Sequence, residues 1–267
     1  MPDSVEVITQ HRPQAFIDGW YELADEAHPW FKWRLAASLN QLRELNVPLD
    51  QKLLALEVGC GTGVLRSQLE SATNWTIDGT DLDFEALRKC GPARGRTLFY
   101  DIREEESEFI GAYDILVLYD VLEHIPEPNS FIASLLRHLK AGGLLLVNVP
   151  AVPLLYSNYD RAVGHVKRYD KKMLAREFQN FDLEVIDLRY WGFLLVPVLL
   201  LRRLRLGLRP SDFPDDISRR GFKSPHSLID KFAGVLMRAE SRVLRRPPLG
   251  SSLLMVARKM TIEEPKK

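Results

Sequence analysis

The 267-residue chain carries 36 basic and 36 acidic side chains, and this formal net charge of zero argues against broad electrostatic attraction to nucleic acid. Its length is enough for a substantial core, either as one large domain or as a domain with an insertion. Cys60 and Cys90 are its two cysteines, so neither a disulfide framework nor a Cys-x-x-Cys metal site is expected, and the absence of a basic-then-apolar opening leads to the expectation of a cytoplasmic protein.

Residues 12–46 are predicted to be mainly helical. Ala15, Phe16, Trp20 and Leu23, then Phe31, Leu35, Leu39 and Leu42, form two apolar faces interrupted near His28-Pro29, with Pro29 suited to a helix start. Residues 1–48 are read as a helical lid. The aromatic group Trp20, Tyr21, Trp30, Phe31 and Trp33 either packs this lid or walls a pocket. Arg34 suits a bound carboxylate or a surface ion pair.

The most informative segment follows. The apolar run Leu53 to Leu56 leads into Glu57-Val58-Gly59-Cys60-Gly61-Thr62-Gly63 and then Val64-Leu65-Arg66, an order of strand, glycine turn and helix. Glycine admits positive φ and close ligand approach, and the helix start offers free amides. Such a cradle fits either a dinucleotide or S-adenosylmethionine. Glu57 repels a phosphate but attracts the amino end of the sulfonium cofactor, whereas Cys60 reads as a small loop residue. A second strand over residues 75–80 delivers Asp81, with Leu82 beside it, where a carboxylate accepts both ribose hydroxyls. That spacing alone leaves NAD open. A third strand over 97–100 ends at Asp101 and Ile102, placed for an adenine amino group and ring.

Residues 113–119 form the fourth predicted strand and lead into Asp120-Val121-Leu122-Glu123-His124-Ile125-Pro126. A helix over 131–140 is expected to end at Ala141-Gly142-Gly143, before a fifth strand over 144–150. These four segments in order resemble the class I S-adenosylmethionine-dependent methyltransferases, in particular those with a type 11 or type 12 core, over roughly residues 53–149. The resemblance implies an α/β, Rossmann-like sheet of seven strands with flanking helices. It also implies that Glu57 to Gly63 is the cofactor loop, that Asp81 holds the ribose, that Asp101 lies near adenine, and that Asp120 to Pro126 line the methionine and methyl-transfer side. Glu57 stands where Asp is commoner, with the charge kept. The candidate cofactor residues are therefore Arg34, Glu57, Gly59, Cys60, Gly61, Gly63, Asp81, Leu82, Asp101, Ile102, Asp120 and Val121.

Beyond the fifth strand, the irregular polar segment 152–170 leaves the sheet beside the expected methyl donor and is the candidate acceptor loop. Its Gly164, His165, Lys167, Arg168 and Tyr169 resemble a subgroup met in bacterial envelope, polysaccharide or lipid modification. A base is needed only where the acceptor carries a proton to be removed. His165, His124 and Tyr169 are the catalytic candidates, each with a structural alternative, and no metal ligands are expected. A sixth strand over 183–190 pairs with a seventh over 252–258, so that residues 191–250 are an insertion before the last strand. The core is read as 49–190, the final strand as 251–260 and the tail as 261–267. Within the insertion, the apolar run 191–201 is too short to span a bilayer. Followed by Arg202, Arg203, Arg205 and Arg209, it suits either a membrane interface or packing over the acceptor pocket. The expected function is methyl transfer to a small-molecule, glycan or lipid-linked acceptor. An NAD-dependent oxidoreductase and a non-catalytic binding module are the alternatives.

Overall fold

The computed structural model describes residues 5–10, 28–207, 240 and 243–261. In chain order these form β1 (Glu6–Val7), α1 (Pro29–Glu44), β2 (Leu54–Val58), α2 (Val64–Ala72), β3 (Thr76–Asp81), α3 (Phe84–Leu87), β4 (Thr97–Phe99), β5 (Tyr113–Tyr119) and α4 (Asn129–Arg137). There follow β6 (Leu139–Pro150), α5 (Asn158–Ala162), α6 (Lys171–Phe178), β7 (Leu183–Trp191), α7 (Leu195–Gly207) and β8 (Ser252–Lys259).

One mixed sheet runs in the order β1-β4-β3-β2-β5-β6-β8-β7, with β8 antiparallel to both β6 and β7 and all other pairs parallel. Successive side chains of a strand point to opposite faces. In β5, Leu116 and Leu118 accordingly join the core layer that includes Ile132 and Leu174 of α4 and α6, while Ile115 and Val117 join the layer that includes Leu42 and Leu65 of α1 and α2. Both faces are covered, which explains why the strands read as continuous apolar runs rather than alternating ones. The order reverses between β2 and β5, the place where open α/β sheets bind ligands beyond the strand ends.

Two features differ from the sequence expectation. The sheet gains an eighth strand, because Arg96 Nε and Nη2 clamp the Glu6 carboxylate at 2.6–3.1 Å and hold β1 on the free edge of β4. Gly142 and Gly143 do not end a helix. The helix stops at Arg137, where the His138 amide donates to the Leu135 carbonyl at 3.1 Å and its ring meets the Ser134 carbonyl through Nδ1, and both glycines lie in the irregular start of β6. A Cβ on Gly143 would stand 3.0 Å from the Asp114 carbonyl of the neighbouring strand.

Pro29 does open α1, with the His28 side chain accepting from the Trp30 amide. Trp20 and Tyr21, like residues 208–239 of the insertion, lie outside the described residues. No helix among the described residues is long and apolar enough to cross a membrane. The insertion begins as α7, whose approach at Gly192, Phe193 and Leu194 donates three backbone amides to the buried Glu240 carboxylate at 2.8–3.1 Å.

Candidate functional site

The ends of β2, β3, β4 and β5 converge on one cavity of about 510 Å³, covered by Trp30, Phe31 and Arg34 of α1. Glu57, Gly59, Cys60 and Gly61 come from the first strand end, Asp81 and Leu82 from the second, Ile102 from the third, and Asp120 and Val121 from the fourth. His124 and His165 complete the wall.

The glycine turn is shaped by the backbone. Gly59, Gly61 and Gly63 all have positive φ, and a Cβ on Gly59 would stand 2.4 Å from Val121 Cγ2. The Asp81 carboxylate fixes the turn by accepting the Gly61 amide at 2.7 Å and, through its other oxygen, the Asp83 amide at 2.9 Å. Glu57 is buried, and its Oε2 has no hydrogen-bond partner among the described residues. Burial pushes its carboxyl up to about 8, against the opposing charges of Arg34 and Arg66.

Arg34 lies against the rings of Trp30 and Phe31, with its guanidinium carbon 4.9 and 5.1 Å from their centroids, and donates Nη1 to Asp120 Oδ2. Asp120 itself has φ +57°, a rare conformation for a residue with a side chain. Its other oxygen accepts Asn148 Nδ2 at 2.6 Å, and Asn148 in turn accepts the Trp191 indole at 2.8 Å. Trp191 packs against Trp30 and Trp33, so α1, β5, β6 and β7 meet in one network at the cavity edge.

The segment after β6 closes the other end. Val166 N donates to the Glu123 carbonyl at 2.8 Å, and His124 Nδ1 stands 3.1 Å from the Gly164 carbonyl. His165 Nδ1 meets Asp160 Oδ1 at 3.1 Å, and that same buried oxygen accepts Arg168 Nε at 2.7 Å. Burial would raise the Asp160 carboxyl, but His165 and Arg168 together outweigh it and hold the group near 2. Burial and the neighbouring His165 lower His124 to about 4.

A family profile described as a methyltransferase domain matches residues 24–188. The chain belongs to the class I S-adenosylmethionine-dependent methyltransferases. The chain is 28% identical over 138 residues to the ubiquinone biosynthesis O-methyltransferase of Thiobacillus denitrificans, covering 46% of this chain and 58% of that protein. It is 30% identical over 162 residues to the trans-aconitate 2-methyltransferase of Deinococcus radiodurans, covering 60% of this chain and 57% of that one. The chain thus spans somewhat more than half the length of these curated relatives. Among solved structures it resembles the 1,6-didemethyltoxoflavin-N1-methyltransferase of Burkholderia thailandensis at a TM-score of 0.53 and 16% identity, with 91% and 83% of the two chains covered. It also resembles the cyclase SpnF at 0.55 and 17%, with 95% and 89% covered. At these identities the likeness shows the fold, and one fold carries different reactions.

The cavity does not take in every residue expected from the sequence. Gly63 has φ +76° and precedes α2 outside the wall. Asp101 turns its carboxylate onto Arg103, which holds both oxygens at 2.6–3.1 Å, so that Ile102 and Arg103 reach the cavity in its place. Tyr169 is fully buried and donates its hydroxyl to the Leu122 carbonyl at 3.3 Å, away from the wall. Conversely, Glu123 and Asp160 were expected only as members of the segments 120–126 and 152–170, with no role of their own. Glu123, His124 and His165 each bring one ligand-capable atom within 4.8 Å of the others, a group that chain spacing did not disclose.

Proposed function

We propose that this chain transfers the methyl group of S-adenosylmethionine to a small-molecule acceptor held against His124 and His165. One observation carries the reading: a single cavity joins the glycine cradle at one end to the histidine wall at the other. The cofactor fits the residues present, because its ammonium would supply the partner that the buried Glu57 Oε2 lacks among the described residues. In this reading Glu57 takes the amino end, Asp81 the ribose, and Leu82 and Ile102 flank adenine. Arg34 and Asp120 hold the methionine end, with Val121 and Cys60 shaping its path.

Bound S-adenosylmethionine supplies a methyl carbon already activated by a sulfonium leaving group. The chain's part is to orient the acceptor in line and exclude water. Trp30 and Phe31 cover the cavity, and the Asp160–His165 contact fixes the ring that faces the acceptor. A lipid-linked glycan acceptor at a membrane surface is a second reading. It is favoured by the exposure of Val198 and Leu204 on α7, 57% and 65% respectively.

Calorimetry with S-adenosylmethionine, S-adenosylhomocysteine and NAD, followed by transfer of a labelled methyl group to panels of polar and lipid-linked acceptors, tests the proposal. Binding of the first two with labelled product is expected. Tight NAD binding in their place would overturn the cofactor assignment. Cofactor binding without label transfer to any acceptor would favour a binding module.

A further inference from the structure

We infer that Glu123, His124 and His165 form a binding site for one divalent transition-metal ion at the acceptor end of the cavity. Binding of the ion is independent of the methyl-transfer reading; its proposed role, holding the acceptor, rests on that reading.

Glu123 is 1% exposed, and neither carboxylate oxygen has a hydrogen-bond partner among the described residues. A buried carboxylate left in that state is costly, and a cation offsets the cost directly. The neighbouring acids are already matched: Asp120 pairs with Arg34 and Asp160 with Arg168. Glu123 has His165 Nε2 at 3.7 Å from Oε1. Two donors bound at about 2.1 Å to a tetrahedral ion stand about 3.4 Å apart, so a small adjustment would bring these two atoms onto one centre.

The histidines are prepared for the same task. Asp160 Oδ1 and the Gly164 carbonyl are acceptors facing Nδ1 of His165 and of His124, so an ion bound at each Nε2 would leave the Nδ1 proton with an acceptor already in place. A carboxylate or carbonyl behind a ligating imidazole is the arrangement that fixes its tautomer and raises its basicity. The rings lie edge to face with centroids 4.9 Å apart, and both line the cavity. Two imidazoles and one carboxylate favour zinc, iron, cobalt or manganese over calcium or magnesium. Three protein ligands leave coordination positions open, so the acceptor class is a small molecule presenting adjacent oxygen donors.

The test uses the full chain without a polyhistidine tag, stripped with a chelator and titrated with cobalt(II) by absorption spectroscopy and with zinc(II) by calorimetry. One ion per chain is expected, with at least tenfold weaker binding in Glu123→Gln and in His165→Ala, and a 10- to 100-fold loss in Asp160→Asn. Circular dichroism identifies variants that fail to fold, and either ligand variant suffices. A folded wild-type chain that takes up no ion, or equal uptake by folded ligand variants, would overturn the site. S-adenosylmethionine affinity measured on the same samples separates the two readings. Cofactor binding without ion uptake removes the metal site alone, and ion uptake without cofactor binding removes the methyl-transfer reading alone.

Discussion

Arg34 on α1 donates to Asp120 at the end of β5, joining the helix that covers the cavity to the strand that opens it. Removing one partner leaves the other charge poorly matched beneath Trp30 and Phe31. Because the Asp120 side chain is 28% exposed and also bonded to Asn148, Arg34→Ala is expected to cost about 2–3 kcal/mol, less than a fully buried pair would. S-adenosylmethionine affinity should fall at least tenfold in the same variant. Denaturant midpoints and calorimetry read the two effects separately, and unchanged affinity in a destabilised variant would restrict the pair to architecture.

The close approach of Gly59 to Val121 gives a second expectation. Gly59→Ala suffers twice, through φ +76° and through a Cβ placed 2.4 Å from Val121 Cγ2. The left-handed conformation alone costs about 1–2 kcal/mol. Adding Val121→Ala should recover the clash and leave the conformational part, so a double-mutant cycle of chemical denaturation separates them. If Gly59→Ala retained full stability and cofactor affinity, the turn would not be under the constraint described.

Much of the sheet is legible in the sequence because its physical signals are local. Residues 113–119 are apolar on both faces, and β5 is buried on both faces. The glycines of 59–63 announce their turn because all three take positive φ. Gly142 and Gly143 mislead for the same reason, since an irregular strand start and a helix terminus both tolerate glycine. The histidine wall is harder to see. His124 and His165 are 41 positions apart, and their meeting depends on Val166 and Gly164 bonding back to the turn that follows β5. The motif Asp120-x-x-Glu123-His124 is visible, but whether Glu123 faces a partner is decided by residues far along the chain.

Tyr169 is the reverse case, a reactive residue type in a promising loop whose side chain is packed away from the cavity wall. Its ring is fully buried, burial raises the phenol well above its usual range, and the hydroxyl makes one long bond to the Leu122 carbonyl. Tyr169→Phe is expected to cost about 1 kcal/mol of stability and to leave turnover within about twofold. A hundredfold fall in kcat with intact stability would return the hydroxyl to the reacting centre.

Glu240 ties the described far part of the insertion to its start. Its carboxylate accepts the amides of Gly192, Phe193 and Leu194, which approach α7 and would otherwise be unpaired. Glu240→Ala is expected to cost about 1–3 kcal/mol and to accelerate proteolytic cleavage within residues 192–207. Protection equal to the wild type would show that other contacts hold α7.

Glu57 makes the cavity sensitive to pH in a direction that follows from its burial. The folded carboxyl titrates near 8 against an ordinary value of 4.5, so the folded chain binds the proton more tightly than the unfolded chain does. This contribution to stability is fully present below about pH 4.5 and is lost as pH rises toward 8, with a slope approaching about 1.4 kcal/mol per pH unit in the ligand-free protein. Glu57→Gln should remove that slope. When the cofactor's ammonium reaches the carboxylate, the charged form gains its partner and the proton leaves. Calorimetry at pH 7 in buffers of different ionisation enthalpy should therefore show release approaching one proton per S-adenosylmethionine bound by the wild type, and little by Glu57→Gln. Equal release from both would place the cofactor's amino end on another group.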